Sequence, residues 1–183
     1  TPQSIFDALR GADLGGVPLA VSTYYNLVAR TGHRRMANLV AEAGMCGAIV
    51  PDLPVDELDG WKEEAESAGV ETVLLAAPTT GQERLRRIAT EARGFIYAVG
   101  VMGVTGERGS LSKSAVTIAK RCKEVTDLPV LVGVGITTPE QAAEVTATAD
   151  GVIVGSAVVR RLLDGEGPEG VGKLVRSFRQ AIG

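Results

Sequence analysis

Histidine and cysteine are nearly missing from this chain. It has one histidine, His33, and two cysteines, Cys46 and Cys122, in 183 residues. A single histidine cannot build a metal site alone, and neither cysteine stands at ligand spacing from it. Cys46 falls at the start of an expected strand and Cys122 on the apolar face of an expected helix. Both are expected to be small buried hydrophobes rather than a disulfide pair. An excess of positive charge is also missing. Net charge is −3 and the isoelectric point about 5.3, which argues against nucleic acid or an anionic membrane as partner. The one dense basic cluster, Arg84-Leu85-Arg86-Arg87, is expected on the solvated face of a helix. No apolar run approaches the length of a membrane span and no signal-peptide pattern is present, so a reducing cytoplasm is the default expectation. Neither Gly-x-Gly-x-x-Gly nor a Walker pattern occurs, which removes dinucleotide and nucleoside-triphosphate readings.

What the chain does have is an alternation. Hydrophobic residues make up 45% of it, enough for the core of one domain over 1–183. Apolar runs are expected as strands at Val17–Thr23, Cys46–Val50, Glu71–Ala76, Gly94–Val99, Pro129–Ile136 and Val152–Val154. Between them lie segments with apolar residues spaced by three or four, as in helices. Arg34–Glu42 buries Met36, Leu39 and Val40. The next helix buries Leu58, Trp61, Ala65 and Ala68. Another follows Thr79 or Thr80, one of which caps it, and runs through Ala92. Ser112 opens a helix to about Val125. Thr138 caps one with Pro139 in its first turn. Gly165–Gly170 reads as a turn before a last helix carrying Val171, Leu174, Val175, Phe178 and Ile182. Thr1–Arg10 reads as the tail of a helix, so the chain is expected to begin inside a fold.

The strands are continuously apolar rather than alternating, which means burial on both faces in a parallel sheet or a β/α barrel. The polar and Gly-rich loops all follow strands, as on the functional face of a barrel. The last two of these loops are Gly133-Val134-Gly135 and Gly155-Ser156. The second lies between a strand and a helix, where unpaired N–H groups and the helix dipole suit phosphate. Gly155 allows close approach and the Ser156 hydroxyl adds a donor. The expected fold class is therefore α/β, a (β/α)8 TIM barrel of the phosphate-binding type, with about six of its eight βα units in this chain.

With these residues assembled, the chain resembles the α subunit of tryptophan synthase. The matching segments are Pro18–Asn26, Ala48–Pro54 with its Pro51-Asp52-Leu53-Pro54, Ala76–Thr80, Gly94–Tyr97, Met102–Gly106 with its Gly103-Val104-Thr105-Gly106, Val132–Ile136 and Asp150–Ala157. They run in family order. The resemblance implies cleavage of indole-3-glycerol phosphate to indole and glyceraldehyde 3-phosphate. It implies transfer of indole to a β subunit that holds pyridoxal phosphate, in a heterotetramer, with no cofactor in this chain. By matching position, Gly106, Gly135, Gly155 and Ser156 would hold the phosphate. Tyr97 would line the indole pocket, Tyr24 would support it, and Thr105 would sit on a loop that closes over substrate. The family's first two βα units have no counterpart here, and they carry its catalytic glutamate and a nearby aspartate.

The implied reaction is a retro-aldol cleavage, which needs carboxyl groups at the barrel mouth as acid and base. Asp52 is the one carboxylate directly after an expected strand, and so the best resident candidate, although a supporting role suits it better. Asp150 opens its strand and points to the opposite, stability face. Asp56, Glu57 and Asp59 fall in a helix start, and Glu107 lies on the mobile loop. Two other readings stay open. One is another phosphate-gripping barrel, an isomerase of histidine or tryptophan synthesis. The other is a binding module that lacks the acid–base pair.

Overall fold

The computed structural model describes residues 2–13, 15–100, 113–133 and 135–183. The described chain forms two compact units. The first takes residues 1–74 and 90–94, and the second 75–89 and 95–183.

The first unit opens with α1 (Pro2–Leu9), then β1 (Ala20–Ser22), α2 (Tyr25–Thr31), α3 (His33–Glu42) and β2 (Gly47–Ile49). A 3-10 turn at Val55–Glu57 leads into α4 (Asp59–Ser67) and then β3 (Glu71–Ala76). β1 pairs with β2 and β2 with β3, all parallel, with Ala20, Gly47 and Glu71 in register. The helices cover the strands with Val28, Met36, Ala37, Val40, Leu58, Trp61 and Ala65, each buried. Ala37, not Leu39, completes the inner stripe of α3, and Ala68 is only half-buried at the end of α4.

The second unit holds most of α5 (Gln82–Glu91), then β4 (Ile96–Val99), α6 (Lys113–Lys123), β5 (Val130–Gly133), α7 (Pro139–Thr146) and β6 (Gly151–Ile153). It ends with α8 (Ser156–Leu163) and α9 (Gly167–Ile182). β4, β5 and β6 pair in parallel and in chain order, with Ile96 opposite Val130 and Leu131 opposite Gly151. Leu85, Ile96, Ala98, Ile118, Cys122, Val130, Val132 and Val145 form its buried centre. Strand–helix alternation with parallel pairing is the expected β/α arrangement. Among the described residues no helix is long and apolar enough to cross a membrane.

Three local expectations are corrected. Cys46 is exposed rather than buried. It sits just before β2, at the strand's N-terminal end, where its N–H bonds to the Leu19 carbonyl at 2.9 Å and its Sγ bonds to the same oxygen at 3.3 Å. Cys122 is buried on α6, as its pattern predicts, and burial pushes its thiol up to about 11. The Thr80 hydroxyl does not cap α5. It accepts from the Ala77 N–H at 3.0 Å and closes its own loop. Gly167–Gly170 is helical, because Pro168 falls in the first turn of α9, where a missing N–H costs nothing.

Candidate functional site

In the first unit, two strand-end loops meet through one carboxylate. Tyr24 follows β1, has extended backbone, and stands before the first turn of α2, 66% exposed as a residue. The next residue, Tyr25, donates its backbone N–H to Asp52 Oδ1 at 2.8 Å. Asp52 follows β2, so it joins the loop after one strand to the helix start after the neighbouring one. A carboxylate there satisfies an unpaired N–H and sits at the positive end of the helix dipole. That bond gives Asp52 a structural task beside Tyr24. Tyr25 extends the link outward, since its hydroxyl shares a hydrogen bond of 3.0 Å with His33 Nε2. The His33 ring in turn meets Trp61 edge-on. No short window of sequence contains this chain of contacts, because it joins α2, α3 and α4.

In the second unit, Tyr97 lies on the half-exposed face of β4 and leans over the neighbouring strand. A Cβ on Gly133 would collide with the Tyr97 ring and hydroxyl. Only glycine at the end of β5 leaves room for that ring. Burial raises the Tyr97 phenol above its ordinary value, so it stays a neutral donor at neutral pH. The Gly100 N–H bonds to the Gly133 carbonyl at 3.0 Å, tying the exits of β4 and β5 together. Gly135, two residues on, has φ +82°, a left-handed turn that other residues adopt at a cost.

The loop after β6 is shorter. Gly155 occupies the cap position of α8 and makes no side-chain cap bond, having no side chain. The space where its Cβ would stand is open. Ser156 is the first helical residue and is exposed. The first N–H groups of α8 are therefore capped by no side chain at Gly155, and the Ser156 hydroxyl stands beside them. Such a helix start accepts phosphate. The helix start after β5 is built differently. Thr138 accepts from the Gln141 N–H while Gln141 Oε1 accepts from the Thr138 and Thr137 N–H groups, at 3.2 and 2.8 Å. Glu140 in the same turn is held below the ordinary carboxylate range by its own backbone N–H and then by Thr138.

Asp150 lies before β6, at the far end of that strand from Gly155. It pairs with Lys123 at 2.9 Å and accepts the Val130 N–H at 2.7 Å. The Lys123 hydrogen bond first, then the Val130 N–H, holds its carboxyl below the usual range. That is a structural clasp, as its position at the start of the strand predicts. Thr105, Gly106, Glu107 and Ser112 lie outside the described residues. Among the described residues no group of three His, Cys, Asp or Glu side chains is placed to hold a metal ion.

The family model of the tryptophan synthase alpha chain matches residues 1–179. The chain belongs to the tryptophan synthase α chain family. It is 48% identical over 151 residues to the tryptophan synthase alpha chain of Streptomyces avermitilis, covering 82% of this chain and 54% of that protein. It is 44% identical over 171 residues to that of Streptomyces coelicolor, covering 91% and 63%. Among solved structures, tryptophan synthase of Mycobacterium tuberculosis superposes with TM-score 0.85 at 38% identity, over 97% of this chain and 67% of that one. Tryptophan synthase subunit alpha of Legionella pneumophila gives 0.85 at 31% identity, over 99% and 69%. The chain thus spans somewhat over half the length of these curated relatives. The fold is that of part of a (β/α)8 barrel.

Proposed function

We propose that the chain carries the phosphate end and part of the indole pocket of the lyase subunit of tryptophan synthase. The substrate is indole-3-glycerol phosphate, cleaved by a retro-aldol step to indole and glyceraldehyde 3-phosphate. Indole passes to a β subunit that holds pyridoxal phosphate; this chain needs no cofactor of its own, and the setting is the cytoplasm. The observation that carries the reading is the open start of α8, with Gly155 at the cap and the Ser156 hydroxyl beside it. By the resemblance of Asp150–Ala157 to the family, these residues would hold the phosphate.

In this reading the phosphate lies against Gly155, Ser156, Gly135 and Gly106. Oriented N–H groups at a helix start offset part of its charge. Tyr97 presents its ring to the indole, with its position set by Gly133. Tyr24 supports the pocket from β1, and Thr105 acts on the loop that closes over substrate. Asp52 positions the Tyr24–Tyr25 segment through the Tyr25 N–H. Its bonded oxygen is occupied in that work, which supports a positioning role over that of the reacting acid. The acid and base of the cleavage are not assigned to residues of this chain.

The test is calorimetric titration with indole-propanol phosphate, an uncleavable analogue, against a ribulosyl phosphate ligand. Selective binding of the indole compound is expected. Preference for the ribulosyl ligand would move the chain to the barrel isomerases. Turnover of indole-3-glycerol phosphate, measured with and without an added β subunit, then separates two cases. Indole release above background would end the reading of the chain as a binding module, a reading that the engagement of Asp52 favours.

A further inference from the structure

We propose that Arg160 is a ligand residue of the phosphate site and gives it preference for a dianionic phosphoryl group. This rests on the reading above, that Gly155 and Ser156 hold phosphate. Arg160 lies four residues after Ser156 on α8, so the two share a face one turn apart, about 6 Å along the axis. Helical side chains lean back toward the N-terminus, which carries the guanidinium toward the start of α8. Arg160, Ser156 and Thr137 of the loop after β5 line one cavity of about 370 Å³.

The neighbours of Arg160 in that cavity define its task. Arg161 is held by Glu166 at 2.7 Å. Among the described residues Arg160 makes no side-chain hydrogen bond or ion pair. Asp164 lines the same cavity a further turn on. Its charge repels an anion from that end and leaves the Ser156 end as the favourable one. The helix start supplies N–H donors and half a charge, whereas a phosphate monoester carries up to two negative charges. A guanidinium matches phosphoryl oxygens in bidentate fashion and supplies the missing charge. The structural alternative is that Arg160 complements the negative end of the α8 dipole, as a basic residue of the last turn.

The test compares the wild-type chain with Arg160→Gln and Arg160→Lys, by calorimetry at two salt concentrations. The ligands are indole-propanol phosphate and the unphosphorylated indole-propanol. Arg160→Gln is expected to weaken the phosphorylated ligand about tenfold, as for loss of one charge-assisted hydrogen bond, and to flatten the salt dependence. Affinity for the alcohol and the melting temperature should stay unchanged, and lysine should restore part of the loss. If the wild type does not prefer the phosphorylated ligand, the phosphate-site reading falls and this proposal with it. If the wild type prefers it and Arg160→Gln binds equally well, only Arg160 is misassigned. Equal weakening of both ligands, or a lower melting temperature, would make Arg160 a dipole partner and overturn the proposal.

Discussion

α7 and α8 each follow a strand of the same unit, yet their first turns are built in opposite ways. α7 begins with a reciprocal cap between Thr138 and Gln141 and a proline in its first turn, and it buries Ala142 and Val145. α8 begins at a glycine, makes no side-chain cap bond and buries none of its eight residues. Val159, Leu162 and Leu163 stand 53%, 54% and 79% exposed. One helix is fastened by its own side chains and by the core. The other leaves its first N–H donors without a side-chain partner at the cap position.

The contrast can be broken most forcefully at Val145. Val145→Ala should cost about 2 kcal/mol in urea unfolding, through lost burial and the cavity left behind. Next is the cap. Thr138→Ala should cost about 1 kcal/mol with no change in affinity for indole-propanol phosphate. Ser156→Ala should do the reverse, moving stability by less than about 0.5 kcal/mol while weakening the ligand. If Ser156→Ala destabilised as much as Thr138→Ala, the two helix starts would be equivalent and the comparison would fail.

Acid titration probes the clasp that anchors the strand leading into α8. Asp150 has a lowered folded-state pKa. Its pairing stabilises the fold above the unfolded carboxylate value near 4, and that contribution disappears as pH falls through the folded value. The Asp150 side chain is 40% exposed, so solvent screening keeps the effect below about 1 kcal/mol. Asp150→Asn should remove that part of the acid limb in stability measured from pH 6 down to 2. The smallest effect belongs to Leu163→Ser, expected within about 0.5 kcal/mol of wild type despite the residue's apolar character.

Local chemistry is legible in the sequence. β3 falls on Glu71–Ala76 as its apolar run predicts, and Thr138 with Pro139 signals its helix start through side-chain type alone. The resemblance lies in several short segments in order, and those among the described residues border or include strands. What escaped was position and partnership. Cys46 has the composition of a core residue but stands before its strand. Gly167-Pro168-Glu169-Gly170 has turn composition yet makes the first turn of α9. The fit of Tyr97 over Gly133 joins residues 36 positions apart, and the Asp52–Tyr25 bond joins two loops, so no window of sequence contains either.

The placement of the two thiols has a practical use. Cys46 is exposed before β2, and Asp52 lies beyond the other end of that strand. Cys122 is buried and its thiol is raised to about 11, which keeps it protonated and slow to react. A maleimide dye under mild conditions should therefore attach to one sulfur without mutagenesis. Labelled in this way, the chain carries a fluorescent reporter on the end of β2 that faces away from Tyr24 and Asp52, and ligand titrations can be followed without altering a residue of the candidate site.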